Sequence, residues 1–103
     1  MVHTKFPYEL IKSATFDRWL SALKDVRAQV RILIRLDRLT LGNLGDWKSI
    51  SSGVCELRIH CGPGYRVYFM QCGQTIALLC GGNKATQAAD VKRAIGIARE
   101  WRN

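Results

Sequence analysis

The run GVCELRIHCGPGYRVYF, from Gly53 to Phe69, constrains the fold more than any other stretch of this chain. Two strand-like segments flank a Gly-Pro-Gly turn, which is the pattern of a β-hairpin. In the first segment Cys55, Leu57, Ile59 and Cys61 form a continuous apolar row. Alternation then places Glu56, Arg58 and His60 on the opposite face. A three-residue turn would pair Cys61 with Tyr65, His60 with Arg66 and Arg58 with Tyr68. A slip of one residue would drive Arg66 into the core, where an unpaired charge costs several kcal/mol. The expected hairpin therefore carries Arg58, His60, Arg66 and Tyr68 together on one face, with Glu56 as their nearby carboxylate.

The remaining elements follow from periodicity and caps. Lys5 to Lys12, with Pro7, reads as a short edge strand. Phe16, Trp19, Leu20 and Leu23 recur at helical spacing behind Thr15 as N-cap, for a helix ending near Lys24. Asp25 opens a second helix to about Leu41, although Val26, Ala28, Val30, Ile32, Ile34 and Leu36 alternate as a strand would. That helix would align Arg27, Arg31, Arg35 and Arg38 on one face, as a solvated surface or as a contact surface for RNA or a protein. Gly42 to Gly53 reads as a loop with a short strand around Lys48 to Ser51. Strands are expected at Val54 to Cys61, Tyr65 to Cys72 and Thr75 to Cys80, and a last helix capped by Thr86. The class is α+β: a short strand, two helices, a three-stranded antiparallel meander and a C-terminal helix.

A chain of 103 residues has room for one domain with one modest core, spanning 1–103. No apolar run reaches a membrane span, and the first residues lack the apolar segment of a signal peptide, so a cytoplasmic protein is expected. Cys55, Cys61, Cys72 and Cys80 form no CxxC pair and no zinc spacing. On one strand Cys55 and Cys61 would stand roughly 20 Å apart, beyond any disulfide. Reduced thiols are expected. Sixteen Lys and Arg against eight Asp and Glu give a net charge of +8, which suits a polyanion or an acidic protein.

Two readings of the hairpin face stand at this point. It is either a solvated sheet surface, laced by Glu56 with Arg58, or a phosphate site. For the second, Arg58 and Arg66 would donate to a phosphate in its transition state and His60 would move protons near neutral pH. Lys48 and Lys84 would approach from the flanking loops. Asp90, one turn into the last helix, would orient a base or favour the helix dipole. The GGNK run at Gly81 to Lys84 is not a Walker motif, so nucleoside triphosphate binding has no support.

The blocks FDRWLSALKD (16–25), RLDRLTLGNLGD (35–46), GVCELRI (53–59), GPGYRVYF (62–69) and LLCGGNKATQAAD (78–90), in this order, resemble the RelE/HigB toxin superfamily. More narrowly they are similar to its phage Gp49-like, addiction module killer branch. The resemblance covers nearly the whole chain. It implies a RelE-like α+β domain and the toxin of a type II toxin–antitoxin system. It further implies a ribosome-dependent mRNA interferase, in which a ribose 2′-hydroxyl attacks the adjacent phosphate with the help of basic side chains rather than a metal ion or another cofactor. A cognate antitoxin, the ribosome and mRNA are the implied partners, with operator DNA reached only through the antitoxin and no membrane involved. Carried over by position, Arg66 would stabilise the phosphorane, while Arg58 and Lys84 would position phosphates. Lys48 would contact RNA, and His60, Tyr68 and Asp90 are the candidates for general acid and base. Two positions depart from the pattern: Glu56 stands where relatives carry a lysine, and Asp90 where they carry a tyrosine.

Overall fold

The computed structural model describes residues 7–102. Its elements in order are β1 (Glu9–Lys12), α1 (Ala14–Ala22), α2 (Val26–Thr40), β2 (Trp47–Ser51), β3 (Val54–Ile59), β4 (Tyr65–Cys72), β5 (Thr75–Asn83), a 3-10 turn (Lys84–Thr86) and α3 (Gln87–Arg102). The five strands form one sheet in the order β1-β5-β4-β3-β2, with β1 parallel to β5 and the rest antiparallel. The meander thus has four strands where three were expected, because Trp47–Ser51 pairs along β3. Lys5 lies outside the described residues, and the strand there starts at Glu9, beyond Pro7.

The first helix is capped by Ser13, not Thr15. The Ser13 hydroxyl accepts from the Phe16 amide at 2.9 Å and donates to the Leu79 carbonyl at 2.6 Å, so one side chain both starts α1 and ties it to β5. Asp25 caps α2 as expected, accepting from the Ala28 amide at 3.2 Å. Gln29 donates to the carbonyls of Leu20 and Leu23 at 2.9 and 3.1 Å, which satisfies the C-terminal end of α1. The strand-like alternation of α2 comes from two apolar stripes at i, i+4 spacing. Ala28, Ile32 and Leu36 are buried, joined by Leu39 three residues on, whereas Val26, Val30 and Ile34 face solvent.

α1 and α2 close one face of the sheet over Phe16, Ile32, Leu36, Leu39, Leu57, Ile59, Val67, Phe69 and Leu78. On the other face α3 covers a smaller core of Val54, Tyr68, Met70, Ala77, Leu79 and Cys80. Between Tyr68 and Phe69 the register with β5 shifts, since Tyr68 faces Cys80 and Phe69 faces Leu78. This bulge inserts Leu79 and resets which face β5 presents. Past it, Gly81 meets the Trp19 ring and Gly82 the Asp90 carboxylate so closely that a Cβ fits at neither position. Gly81, Gly82 and Asn83 continue β5 by pairing with Val67, Arg66 and Tyr65, and the two glycines let side chains of α1 and α3 seat directly on that backbone.

The central hairpin differs from expectation by two residues. Ile59 faces Tyr65, Arg58 faces Arg66 and Glu56 faces Tyr68. The Gly64 amide donates to the Cys61 carbonyl at 3.1 Å, which makes Cys61 and Gly64 the corners of a β-turn and removes Cys61 from the ladder. Gly62 and Gly64, with φ of 54° and 79°, supply the left-handed backbone that this turn requires. An even shift preserves parity, so the apolar row still enters the core. His60 alone leaves the expected cluster. The four cysteines are unpaired.

Candidate active site

The even-numbered row of β3 lies on the same face as α3, and its middle residue is Glu56, whose side chain is fully buried. Its carboxylate is a hub. Oε1 accepts from Arg58 Nε at 3.0 Å, and Oε2 accepts from Tyr68 Oη at 3.1 Å and from Gln87 Nε2 at 2.8 Å. Arg66 Nε lies 3.8 Å from Oε2, beyond hydrogen-bond reach, and is a buried donor with no partner. Arg66 is instead held through Nη1, which donates to the Gly64 carbonyl at 2.6 Å.

Two guanidinium groups on directly opposed residues repel. Glu56 makes the pair tolerable, because one carboxylate faces both. Burial by itself would raise the Glu56 pKa, but hydrogen bonds from Arg58, Gln87 and Tyr68, together with the Arg66 charge, outweigh it and hold the carboxyl below its usual range. The Glu56 hydrogen bond raises the Arg58 guanidinium in turn. The Tyr68 hydroxyl is pushed far up, first by burial and then by the adjacent Glu56 charge, so it stays protonated at neutral pH. Arg58 spends one of its five N–H groups on Glu56, and its side chain is about a third exposed, at 32%. The result is a pair of fixed, part-exposed cations, suited to a phosphate or a carboxylate.

Arg58 and Arg66 are brought together across β3 and β4. Lys84 joins them: a Cβ at Gly64 would lie 3.0 Å from Arg66 Nη1 and 3.5 Å from Lys84 Cβ. Exposed Lys48 faces Glu56 across β2 and β3 and so shares this face, nearer the sheet edge. The other three candidates are either buried or turned elsewhere. Tyr68 is closed to solvent beneath Glu56. His60 sits in the exposed turn and pairs with Asp46, whose carboxyl that hydrogen bond holds below the usual range. Asp90 is buried against Gly82 and accepts from Thr86 Oγ1 at 2.5 Å, locking the start of α3. Thr86 thus donates its hydroxyl rather than capping α3; the cap lies earlier, at Asn83, which opens the 3-10 turn before α3 by accepting from the amides of Ala85 and Thr86 at 2.8 and 3.3 Å.

Two residues that organise the site carry little sequence signal. Gln87 looks like an ordinary first-turn residue, yet it joins α3 to Glu56. Arg35 reads as one of a solvated arginine row, yet it donates to the carbonyls of Arg58, Leu44 and Asp46 at 2.6, 2.9 and 3.3 Å. It fixes α2 to the backbone that carries Arg58, and burial pulls its own pKa down.

No family model matches the chain. A protein of Haemophilus influenzae described as uncharacterized is 53% identical over 87 residues, covering 84% of this chain and 88% of that one. This chain belongs to the family of that protein. A chain in the crystal structure of the toxin–antitoxin complex RelBE2 from Mycobacterium tuberculosis superposes with a TM-score of 0.61 at 20% identity, over 76% of this chain and 99% of the other. The α+β fold is thus the RelE-like one, with the arginine pair on its sheet. Among the described residues no helix is long and apolar enough to cross a membrane.

Proposed function

We propose that this chain is the toxin of a type II toxin–antitoxin pair in the RelE superfamily, of the Gp49-like branch, and that it cleaves mRNA on the ribosome. The observation that carries the proposal is Arg58 opposite Arg66, fastened to the buried carboxylate of Glu56 on a sheet with the RelE-like fold. In this reading a ribose 2′-hydroxyl attacks the adjacent phosphorus. The bond to the 5′-oxygen breaks, leaving a 2′,3′-cyclic phosphate and a free 5′-hydroxyl. Arg66 and Arg58 meet the charge that grows on the phosphoryl oxygens, and Lys84 and Lys48 hold flanking phosphates. The buried Tyr68 and Asp90 position other groups, so the proton leaves the 2′-oxygen and reaches the 5′-oxygen through water or through His60 on the adjacent turn. A cognate antitoxin restrains the activity and makes any contact with operator DNA, and the whole chain acts as one domain in the cytoplasm.

A second reading is a non-catalytic basic module that binds RNA or the antitoxin, and the burial of Tyr68 and Asp90 favours it. Expression of the chain alone, with mapping of 5′ ends in cellular mRNA, separates the two. Growth arrest with discrete new ends, both lost in Arg66→Ala while ribosome binding persists, is the expected result. Wild-type protein that neither arrests growth nor produces such ends would sink the interferase reading. A uniform, salt-sensitive loss of RNA binding from each Arg or Lys substitution would establish the module instead.

A further inference from the structure

We propose that the cleft at the outer edge of β5, between α1 and α3, binds a nucleoside monophosphate. The inference goes beyond the function proposed above and does not rest on it.

β1 accompanies β5 only as far as Lys12 opposite Leu78, and the Ser13 hydroxyl takes the Leu79 carbonyl. From Cys80 to Asn83 the outer side of β5 therefore has no strand beside it among the described residues. α1 packs on one face of the sheet and α3 on the other, so the free edge opens into a cleft between the two helices. Thr15, Arg18, Trp19, Gly81 and Arg93 line this cleft, around a volume of about 430 Å³. Small-molecule sites begin at roughly 300 Å³, which makes this space the scale of one such ligand.

The lining selects the ligand. Arg18 stands on α1 and Arg93 on α3; both are exposed, and neither takes part in an ion pair among the described residues. No carboxylate lines the cleft, and Asp90, one turn before Arg93, is already bound to Thr86. Two guanidinium groups on one cleft favour an anion between them, and their planar forks match phosphate oxygens. Thr15 adds a hydroxyl at the start of α1, where the helix dipole also favours negative charge. Trp19 makes the apolar wall. Its ring lies against the Gly81 backbone, where a Cβ would come within 2.2 Å of it, and packs against Phe16 and Tyr65 with ring centres 5.9 and 6.2 Å away. A base would thus meet an indole held in place on three sides.

Other occupants leave part of this arrangement unused. Inorganic phosphate would satisfy the arginines but not Trp19. A triphosphate calls for the glycine-rich phosphate loop that this chain lacks. An RNA strand needs a track of cations and stacking rings, and the lining holds two arginines and one indole. A phosphate held by Arg18 and Arg93 together would also tie α3 to α1, so the ligand should raise Tm.

The test is calorimetric titration and thermal melting of the full chain with adenosine 5′-monophosphate. Saturable binding with a rise in Tm is expected, weakened about tenfold or more by Arg18→Ala and by Arg93→Ala and unchanged by Arg66→Ala. Both arginines are exposed, so melting without ligand should not move; Arg93→Gln serves as a second variant if Arg93→Ala misfolds. Adenosine and inorganic phosphate should each bind about tenfold more weakly than the nucleotide. Absence of saturable binding overturns the proposal, as does adenosine or inorganic phosphate binding as tightly as the nucleotide. Binding lost in Arg66→Ala but kept in Arg18→Ala and Arg93→Ala overturns it too, since the nucleotide then sits on the arginine pair of β3 and β4. So does a short oligouridylate that binds through Arg18 and Arg93 while the mononucleotide does not. None of these readouts depends on RNA cleavage, so their failure leaves the function proposed above untouched.

Discussion

The two faces of the sheet differ most sharply at adjacent residues of β3. Leu57 enters the core under α1 and α2, among Phe16, Ile32, Leu36 and Val67. Glu56, one residue earlier and equally buried, faces α3 and is satisfied by Arg58, Tyr68 and Gln87. At these two positions the first face is held by volume and the second, beside its own smaller apolar core, by charge. Apolar packing is non-directional and tolerates isosteric exchange, whereas a buried ion must keep its partners or shed its charge.

The largest effects should come from exchanges that keep shape at these two positions. Glu56→Gln retains the volume but removes the charge that balances Arg66, and should cost about 2–3 kcal/mol. Leu57→Met should cost less than about 1.5 kcal/mol, since it conserves volume on a face that depends on little else. Urea denaturation of both measures the difference, and equal costs would dissolve the distinction between the faces.

Next comes Arg66→Ala. It should lower mRNA cleavage by about a hundredfold or more, the scale seen when one donor to a developing oxyanion is removed. Primer extension on a defined message reads this out. Cleavage within a fewfold of wild type would leave the arginine pair a structural feature only.

Acid should then separate the faces without mutation. The native Glu56 pKa lies below its unfolded value of about 4.3. Its contribution to stability is therefore complete above that pH and is lost as pH falls towards the native value. Wild-type protein should lose stability more steeply below about pH 4 than Glu56→Gln does, because the variant has no such proton to take up. Parallel pH profiles of Tm would contradict the assignment.

The smallest effect belongs to His60→Ala. The ring is exposed and its one partner, Asp46, is itself part-exposed, so Tm should not move. Cleavage should keep its rate, with the proton carried by water. A large drop in rate with unchanged Tm would bring His60 back as the proton-transfer group.

Much of this was legible in the chain. The hairpin, the Asp25 cap and the inward row of Leu57 and Ile59 depend on local alternation and short-range hydrogen bonds, which neighbouring residues dictate. The face shared by Arg58 and Arg66 also follows from parity. The pairing lies two residues from the one that a GPG loop alone implies, because Cys61 and Gly64 are the corners of the turn and the ladder closes at Ile59 and Tyr65. That shift moved His60 out of the cluster and brought Arg66 opposite Arg58. The double stripe of α2 gave a strand-like period because both stripes share one spacing, and only packing shows which is buried.

By itself, then, the sequence determined an α+β chain with a basic hairpin face, since period, caps and parity are properties of residues close together in the chain. The tertiary structure decided what that face contains. Gln87 reaches Glu56 from 31 positions away, Arg35 reaches the Arg58 carbonyl across 23, and the Leu79 bulge sets which face Gly81 and Gly82 present to the helices. Such contacts depend on how helices seat on a sheet, a long-range arrangement that no local spacing encodes.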